Sequence, residues 1–130
     1  MLSASKVVVV DDTAEVLELI VAVLMDEGYQ VVPCKDGTTA SAVVAREAPH
    51  LVILDLRMAG VGDWQVLEEL RADPRTEQTP ILLCSGAVDE LRAAEDDLKA
   101  RGCEILTKPF DIDMLVERVE RMIGSPDPGA

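Results

Sequence analysis

Short runs of apolar residues alternate along the chain with longer segments in which apolar residues recur every three or four positions. The short runs are rich in β-branched residues, as in VVVV and LVIL, and predict strands buried on both faces. The longer segments predict amphipathic helices. The predicted strands are Val7–Val10, Tyr29–Cys34, Leu51–Leu54, Ile81–Cys84 and Glu104–Thr107, and the predicted helices are Ala14–Glu27, Thr38–Arg46, Trp64–Arg71, Val88–Arg101 and Ile112–Ile123.

Strands and helices that alternate in this way are typical of a parallel sheet covered by helices on both faces. We therefore expect an α/β fold with a doubly wound five-stranded parallel sheet and five helices. One domain over residues 1–123 accounts for all of these elements. The remaining segment, Gly124–Ala130, reads GSPDPGA, and its Gly and Pro content predicts a flexible tail or the start of a linker.

Composition, charge and cysteine content narrow the classes of partner and compartment. The chain is 48% apolar but only 2% aromatic, so its core must consist of Val, Leu, Ile and Ala. The net charge of −13 repels nucleic-acid phosphates and anionic lipids, so we expect direct binding to neither nucleic acid nor a membrane. Cys34, Cys84 and Cys103 form no Cys-x-x-Cys motif and indicate a reducing compartment. With no apolar run of signal-peptide or membrane-span length, we expect a cytoplasmic location.

Chemically reactive side chains follow four of the five predicted strands. Asp11 and Asp12 follow the first strand, Asp55 the third, Ser85 the fourth and Lys108 the fifth. In an open parallel sheet, ligands bind outside the carboxyl ends of the strands. We therefore expect three carboxylates, a hydroxyl group and an ammonium group to meet at one edge of the sheet.

These groups together suit phosphoryl transfer. Neighbouring carboxylates raise one another's pKa values unless a cation joins them. Oxygen ligands select a hard ion, and Mg²⁺ takes one or two carboxylates together with a phosphate oxygen. Asp55 would then attack phosphorus, while Lys108 neutralises a phosphoryl oxygen and Ser85 donates a hydrogen bond.

Each of these residues also has an ordinary structural explanation. Asp12 would suit a helix cap, Ser85 a loop before Gly86, and Lys108 a solvated position before Pro109. The joint placement of the required groups at four strand ends favours the functional interpretation.

Four segments resemble, in order and spacing, the signature of response-regulator receiver domains: VVVVDD, LVILDLRM, ILLCSG and ILTKPFD. The resemblance covers Lys6 to Ile123 and extends to stand-alone regulators of two-component and phosphorelay signalling. It implies a flavodoxin-like fold with strand order 2-1-3-4-5. It also implies that a histidine kinase or a histidine phosphotransfer protein phosphorylates the domain in a Mg²⁺-dependent reaction, which changes its binding to a downstream protein. The resemblance further implies that the domain is a monomer or a weak homodimer. It implies that the domain is not an enzyme and catalyses only its own phosphorylation and dephosphorylation.

The resemblance also assigns the phosphoacceptor and the metal ligands. Asp55 matches the phosphoacceptor, which is itself a ligand of Mg²⁺. Asp12 matches the residue that contacts the ion directly, and Asp11 matches the acidic neighbour that holds it through water. The backbone carbonyl of Arg57 matches a further ligand, and the side chain at this position faces the site.

Two further residues match those that detect the phosphoryl group. Ser85 matches the hydroxyl residue that moves towards it, and Lys108 matches the lysine that contacts it, with a cis peptide bond to Pro109. Both residues lead directly into the elements that follow them, so a phosphoryl group can bias the packing of those elements. The expected surface for a downstream target therefore consists of Val88–Arg101, Glu104–Thr107 and Ile112–Ile123.

Several positions depart from the family pattern. Ile105 stands where an aromatic residue is typical, which puts coupling through a swinging ring in doubt. Ala59 replaces the usual proline, and Gly62-Asp63 reverses the usual Asp-Gly pair. The segment Gly102–Lys108 is one residue short, which predicts an altered loop before the last strand.

Two other functions share parts of this pattern. A receiver-like interaction module that needs no phosphate is favoured by Ile105 but opposed by the complete set of acidic, hydroxyl and lysine residues. An aspartate-nucleophile phosphatase of the haloacid-dehalogenase type would carry Asp-x-Asp after its first strand. Here the two aspartates are adjacent, and 130 residues leave no room for a cap domain.

Overall fold

The computed structural model describes residues 5–58, 60–62, 64–86 and 88–124. The strands are β1 (Lys6–Val10), β2 (Gln30–Cys34), β3 (Leu51–Asp55), β4 (Ile81–Ser85) and β5 (Cys103–Thr107). The helices are α1 (Ala14–Asp26), α2 (Ala40–Glu47), α3 (Gln65–Ala72), α4 (Val88–Ala93), α5 (Glu95–Ala100) and α6 (Ile112–Ile123), and a 3-10 turn, Gly37–Thr39, precedes α2. Every predicted strand is present, and no strand end differs from its prediction by more than one residue.

The strands form one parallel sheet in the order β2-β1-β3-β4-β5, which confirms the predicted doubly wound fold. β3 and β4 are buried along their whole length. Continuous apolar runs such as LVIL are characteristic of strands covered on both faces, because neither set of alternating side chains reaches water. Because β3 and β4 are fixed in the core, the residues that directly follow them have fixed positions at one edge of the sheet.

Helices cover both faces of the sheet and create two aliphatic cores. On one face, Leu24 of α1 and Val119 of α6 share a core with Ile53 of β3. On the other face, Leu67 of α3 and Leu98 of α5 belong to a second core, together with side chains of α2 and α4. Complete burial of such a side chain contributes roughly 1.5–3 kcal/mol, so Val, Leu and Ile form both cores without many aromatic rings.

The segment Val88–Arg101, predicted as one helix, contains two, so the described residues hold six α-helices and not five. α4 ends at Ala93, and Ala94 has φ −101° and ψ 4°, outside the helical range. Three consecutive carboxylates, residues 95–97, then form the first turn of α5. Carboxylates are stabilised at a helix N-terminus and repel one another within a helix, which explains a new helix start at this point.

The connection between α5 and β5 consists of two residues, Arg101 and Gly102. Gly102 joins α5 to β5 with a φ of 75°, a conformation that glycine adopts without steric cost. β5 pairs with β4 from Cys103 onward, and the altered loop expected before this strand stays a prediction.

Three further expectations concern the cysteines, membrane-spanning segments and the residues of the loop and tail. The thiols of Cys34, Cys84 and Cys103 are all free and buried, as small apolar residues of the core. Among the described residues, no helix combines the length and the apolar character that a membrane span requires. Ala59, Asp63 and the tail beyond residue 124 lie outside the described residues, and the expectations about them stay predictions.

Tyr29, the only tyrosine, connects the start of β2 with the end of α6. Its side chain is buried, and its hydroxyl donates a 2.9 Å hydrogen bond to the carbonyl oxygen of Gly124. Burial, together with the negative charges of Glu120 and Glu27, raises the pKa of Tyr29 to about 12. The native protein therefore holds this proton at pH values at which the unfolded chain has lost it.

We expect Tyr29 to titrate near pH 12 in the native protein and near pH 10 in the unfolded chain. The stability contributed by this group is then complete below pH 10 and is lost as the pH rises towards 12. Tyr29→Phe should lower the free energy of unfolding at neutral pH by about 1 kcal/mol, because it removes one hydrogen bond. The free energy of unfolding of this variant should also fall less than that of the wild type between pH 10 and pH 12. Tyrosinate absorbance and urea unfolding across this pH range measure both effects, and native titration at the unfolded pKa would contradict the assignment.

Candidate functional site

The carboxyl ends of β1 and β3 bring three carboxylates together. Val10 lies opposite Leu54 in the parallel register, so Asp11 and Asp55 are neighbours across the sheet. Asp11, Asp12 and Asp55 each place one carboxylate oxygen within 4.8 Å of the other two. Asp11 is 2% exposed and Asp55 is 7% exposed, whereas Asp12 is half-buried. The predicted acidic site therefore forms, and two of its three carboxylates are largely withdrawn from water.

Lys108, directly after β5, brings a positive charge to these carboxylates. Its Nζ lies 3.1 Å from Oδ2 of Asp11 and 3.3 Å from Oδ2 of Asp55, so the ammonium bridges the two buried acids. Its backbone N–H donates a 2.9 Å hydrogen bond to the carbonyl oxygen of Ser85. The peptide bond between Lys108 and Pro109 is cis, which confirms the expectation from the sequence.

Backbone N–H groups hold the other oxygens of the two buried carboxylates. Oδ1 of Asp11 accepts a 2.9 Å hydrogen bond from the N–H of Thr13, and Oδ1 of Asp55 accepts a 3.2 Å hydrogen bond from the N–H of Arg57. Thr13 is also the N-cap residue of α1. The N-cap position of α1 is therefore occupied by Thr13 and not by Asp12.

Burial raises the pKa of Asp55 above its usual value, and the negative charge of Asp11 adds to this effect. The charge of Lys108 and the hydrogen bond from Arg57 act in the opposite direction without cancelling it. Burial alone would lower the pKa of Lys108, but its hydrogen bond to Asp11 and the charges of Asp55 and Asp11 raise it. The site thus combines a firmly charged ammonium with a carboxylate whose charge is destabilised by burial.

Ser85 and Ile105 flank this site on the last two strands. Ser85 ends β4 opposite Thr107 and is 2% exposed, so its backbone lies at the same sheet edge as Lys108. Ile105 is half-buried and packs against the core beneath α2–α5, and its carbonyl oxygen accepts a 2.6 Å hydrogen bond from Arg118. The family's aromatic switch position is therefore occupied here by an aliphatic core residue.

The side chain of Arg57 forms a contact that the sequence did not indicate. Its guanidinium is ion-paired and hydrogen-bonded to the carboxylate of Glu90 in α4. The two residues are 33 positions apart, so no helical or strand periodicity relates them. The only signal in the sequence is that the two residues have opposite charges and that each lies within five positions of a predicted site residue, Asp55 or Ser85.

A family model for the response regulator receiver domain matches residues 7–120, and the chain therefore belongs to this family of signalling domains. Response regulator PleD of Caulobacter vibrioides (strain NA1000 / CB15N) is 34% identical over 119 residues, which cover 92% of this chain and 26% of PleD. Regulatory protein VanRc of Enterococcus gallinarum is 32% identical over 120 residues, which cover 92% of this chain and 50% of VanRc. The chain thus spans a quarter to a half of the length of these relatives.

Solved structures share the same receiver fold. A putative response regulator from Chloroflexus aurantiacus J-10-fl has a TM-score of 0.81 at 27% identity, with 93% of this chain and 98% of that chain covered. Chemotaxis response regulator CheY4 of Vibrio cholerae has a TM-score of 0.80 at 26% identity, with 92% and 99% covered. The receiver domain of sensor histidine kinase PA1611 from Pseudomonas aeruginosa PAO1 holds a magnesium ion in its active site cleft and has a TM-score of 0.80, with 95% and 100% covered. Its identity of 24% makes this a likeness of fold alone.

We expect Asp55→Asn to increase the free energy of unfolding of the metal-free protein at neutral pH. The native state destabilises the charged form of Asp55, as its raised pKa indicates, and the amide keeps the size of the side chain without its charge. Since the native protein binds this proton more tightly than the unfolded chain, the advantage of the variant should vanish as the pH falls below the unfolded pKa. Urea unfolding with a chelator over a range of pH measures this effect.

Any lost carboxylate relieves repulsion in a chain with a net charge of −13, so a control must remove one charge elsewhere. Glu69→Gln does this on the exposed side of α3. Asp55→Asn should stabilise the protein more than Glu69→Gln does. An equal increase in the free energy of unfolding in the two variants would show that the burial of charged Asp55 does not destabilise the native protein.

Proposed function

We propose that a histidine kinase or a histidine phosphotransfer protein phosphorylates the domain on Asp55, and that the phosphorylated form signals through altered binding to a downstream protein. The observation that carries this proposal is the cluster of three carboxylates within 4.8 Å of one another, two of which are bridged by Lys108. Membership of the receiver family supports the same reaction. The domain would act on no substrate other than its own aspartate.

In the proposed transfer, a carboxylate oxygen of Asp55 attacks phosphorus in line with the nitrogen of a phosphohistidine. The new P–O bond forms as the P–N bond breaks, and the donor histidine, which carries a proton on its other ring nitrogen, takes the electron pair of the P–N bond and leaves as neutral imidazole. Lys108 lies 3.3 Å from Oδ2 of Asp55, where its ammonium would neutralise charge on the transferred group. The protein would contribute positioning and charge, which are the main requirements of phosphoryl transfer.

The oxygen-only donor set fits Mg²⁺. We propose that the carboxylates of Asp11, Asp12 and Asp55 and the backbone carbonyl of Arg57 hold the ion, with Asp12 in direct contact and Asp11 acting through water. Asp12 is half-buried, whereas Asp11 is 2% exposed, so the carboxylate of Asp12 is the more accessible of the two to a hydrated ion, which favours Asp12 as the direct ligand. When bound, the ion would neutralise charge on the carboxylates and on the phosphoryl group.

We also propose how the phosphorylated site reaches a partner. Ser85 and Lys108 would contact the phosphoryl group and bias the packing of α4, α5, β5 and α6, which would form the surface for a downstream target. The domain would act in the cytoplasm as a monomer or weak homodimer, without direct binding to nucleic acid or membranes. Residues 1–123 would form the receiver and residues 124–130 a tail or linker.

Mg²⁺ affinity should fall further in Asp12→Ala than in Asp11→Ala, because Asp12 is proposed to contact the ion directly. Titration with Mg²⁺, followed by the fluorescence of the single tryptophan Trp64, measures both affinities. Glu18→Ala removes an exposed carboxylate from α1 and serves as the control for a general loss of negative charge. Wild-type affinity in both Asp variants would rule out the metal site.

The protein should gain one phosphoryl group, a mass increase of about 80 Da, when it is incubated with Mg²⁺ and acetyl phosphate. The bond should be labile to base and to hydroxylamine, because a carboxylate nucleophile forms an acyl phosphate. Asp55→Asn should abolish labelling while the protein remains folded. Lys108→Ala should fold but respond poorly to phosphorylation, since it lacks the ammonium that contacts the phosphoryl group. Intact-mass spectrometry with circular dichroism checks these outcomes.

The same measurement separates the other two functions. A phosphatase would turn over a phosphate ester repeatedly, with Asp55 modified only transiently. A phosphate-independent interaction module would take no label even with excess Mg²⁺. If folded, metal-bound wild-type protein stays unmodified, Asp55 is not a phosphoacceptor.

A further inference from the structure

Arg57 links the phosphoacceptor to α4 through two different groups. Its backbone N–H donates a hydrogen bond to Oδ1 of Asp55, and its guanidinium is ion-paired with Glu90. The side chains of Arg57 and Glu90 are 56% and 43% exposed, so the pair lies on the solvent side of the site. One residue therefore connects the reacting carboxylate with the first helix after β4.

The loop that contains Arg57 is also held by apolar contacts to the start of the 3-10 turn. A Cβ atom added to Gly37 would lie 3.0 Å from Cγ2 of Val61 and 3.2 Å from Cε of Met58, which shows how closely the loop packs against the start of the 3-10 turn. These contacts are apolar, whereas the contact between Arg57 and Glu90 is ionic. A change of charge at Asp55 therefore acts more directly on the ion pair than on the apolar contacts.

α4 itself is a small element. It has six residues, and the break at Ala94 separates it from α5. Leu91 is its fully buried anchor among the side chains that the structure describes. A helix of this length forms only with tertiary contacts, so the loss of one contact changes its stability appreciably.

We propose that the Arg57–Glu90 ion pair holds α4 against the phosphoacceptor loop in the unphosphorylated protein, and that a phosphoryl group on Asp55 draws the guanidinium away from Glu90 and releases α4. This inference rests on the proposed phosphorylation of Asp55. Glu90 is then a positioning residue that acts through Arg57. The covalent step itself is the transfer already described, and the release of α4 is an exchange of ion-pair partners.

The exchange follows from the charges involved. Phosphorylation replaces a monoanionic carboxylate with a group of higher charge that carries three acceptor oxygens. Guanidinium groups bind such oxygens in bidentate geometry, and the higher negative charge of the phosphoryl group attracts Arg57 more strongly than the single charge of Glu90 does. Arg57 is anchored beside Asp55 by its own backbone N–H, so its side chain starts from a position close to the phosphorylated residue. This connection bypasses Ile105, which packs in the core and carries no ring to swing.

Amide hydrogen exchange of α4 tests this device. In wild type, exchange of residues 88–93 should be slow in the free protein and faster after labelling with acetyl phosphate and Mg²⁺. Glu90→Gln should exchange rapidly in both states, so the difference between the states should be lost, although labelling of Asp55 proceeds. Asp89→Asn, which removes an exposed carboxylate from the same helix, should keep the wild-type difference.

A charge reversal distinguishes the ion pair from a general weakening of the helix. The double variant Arg57→Glu/Glu90→Arg exchanges the two charges and keeps the attraction between them. The amides of α4 should therefore again exchange slowly in the free protein. After labelling it should stay protected, because the phosphoryl group repels the carboxylate introduced at position 57 and cannot draw it away from α4. A general loss of helix stability would leave α4 rapidly exchanging in this variant in both states.

The outcomes separate this inference from the proposed function. If wild-type protein takes no label, the phosphorylation of Asp55 is wrong, and the exchange of partners is wrong with it. If wild type and Glu90→Gln are both labelled and α4 responds equally in the two proteins, Asp55 remains a phosphoacceptor but the ion pair does not transmit the signal. Rapid exchange of α4 in free Asp89→Asn would likewise overturn the assignment to Glu90.

Discussion

Electrostatic repulsion among carboxylates at one sheet edge is the constraint on which this structure depends. Asp11, Asp12 and Asp55 approach one another to within 4.8 Å, and two of them are largely buried. Such an arrangement persists only when cations and N–H groups compensate the charge. Lys108 supplies an ammonium, and the N–H groups of Thr13 and Arg57 supply hydrogen bonds, yet the pKa of Asp55 stays raised. The negative charge of the site is thus only partly compensated, which is why we propose that it binds a further cation.

The aliphatic sheet makes this costly arrangement possible. Its central strands are buried on both faces, and their parallel register sets the positions at which β1, β3, β4 and β5 end. The acidic residues are therefore neighbours because of strand pairing, and not because they attract one another. Stability comes from the two cores of Val, Leu and Ile, which leaves the sheet edge available for groups that would not assemble alone.

Most of the fold was predictable because its signals are local. Runs such as VVVV and ILLC are short, β-branched or apolar throughout, and followed at once by polar residues, so strand ends and site residues could be found together. The break at Ala94 was not predictable from periodicity, because Leu91 and Leu98 keep helical spacing across it. The partner of Arg57 was also missed, since Glu90 becomes its neighbour only after β3 and β4 pair. The bridging position of Lys108 between two acids likewise depends on the register of four strands, β1, β3, β4 and β5.

The hydrogen bond from the N–H of Lys108 to the carbonyl oxygen of Ser85 has a consequence for the tolerance of the chain to substitution. It joins the ends of β4 and β5, so the two residues that would contact a phosphoryl group do not shift independently. A substitution in β5 that tilts the strand would displace Lys108 from both acids and Ser85 from its place beside them. A substitution at a residue of β5 that lies away from the site, such as Cys103 or Leu106, would therefore impair the site much as a substitution within it does.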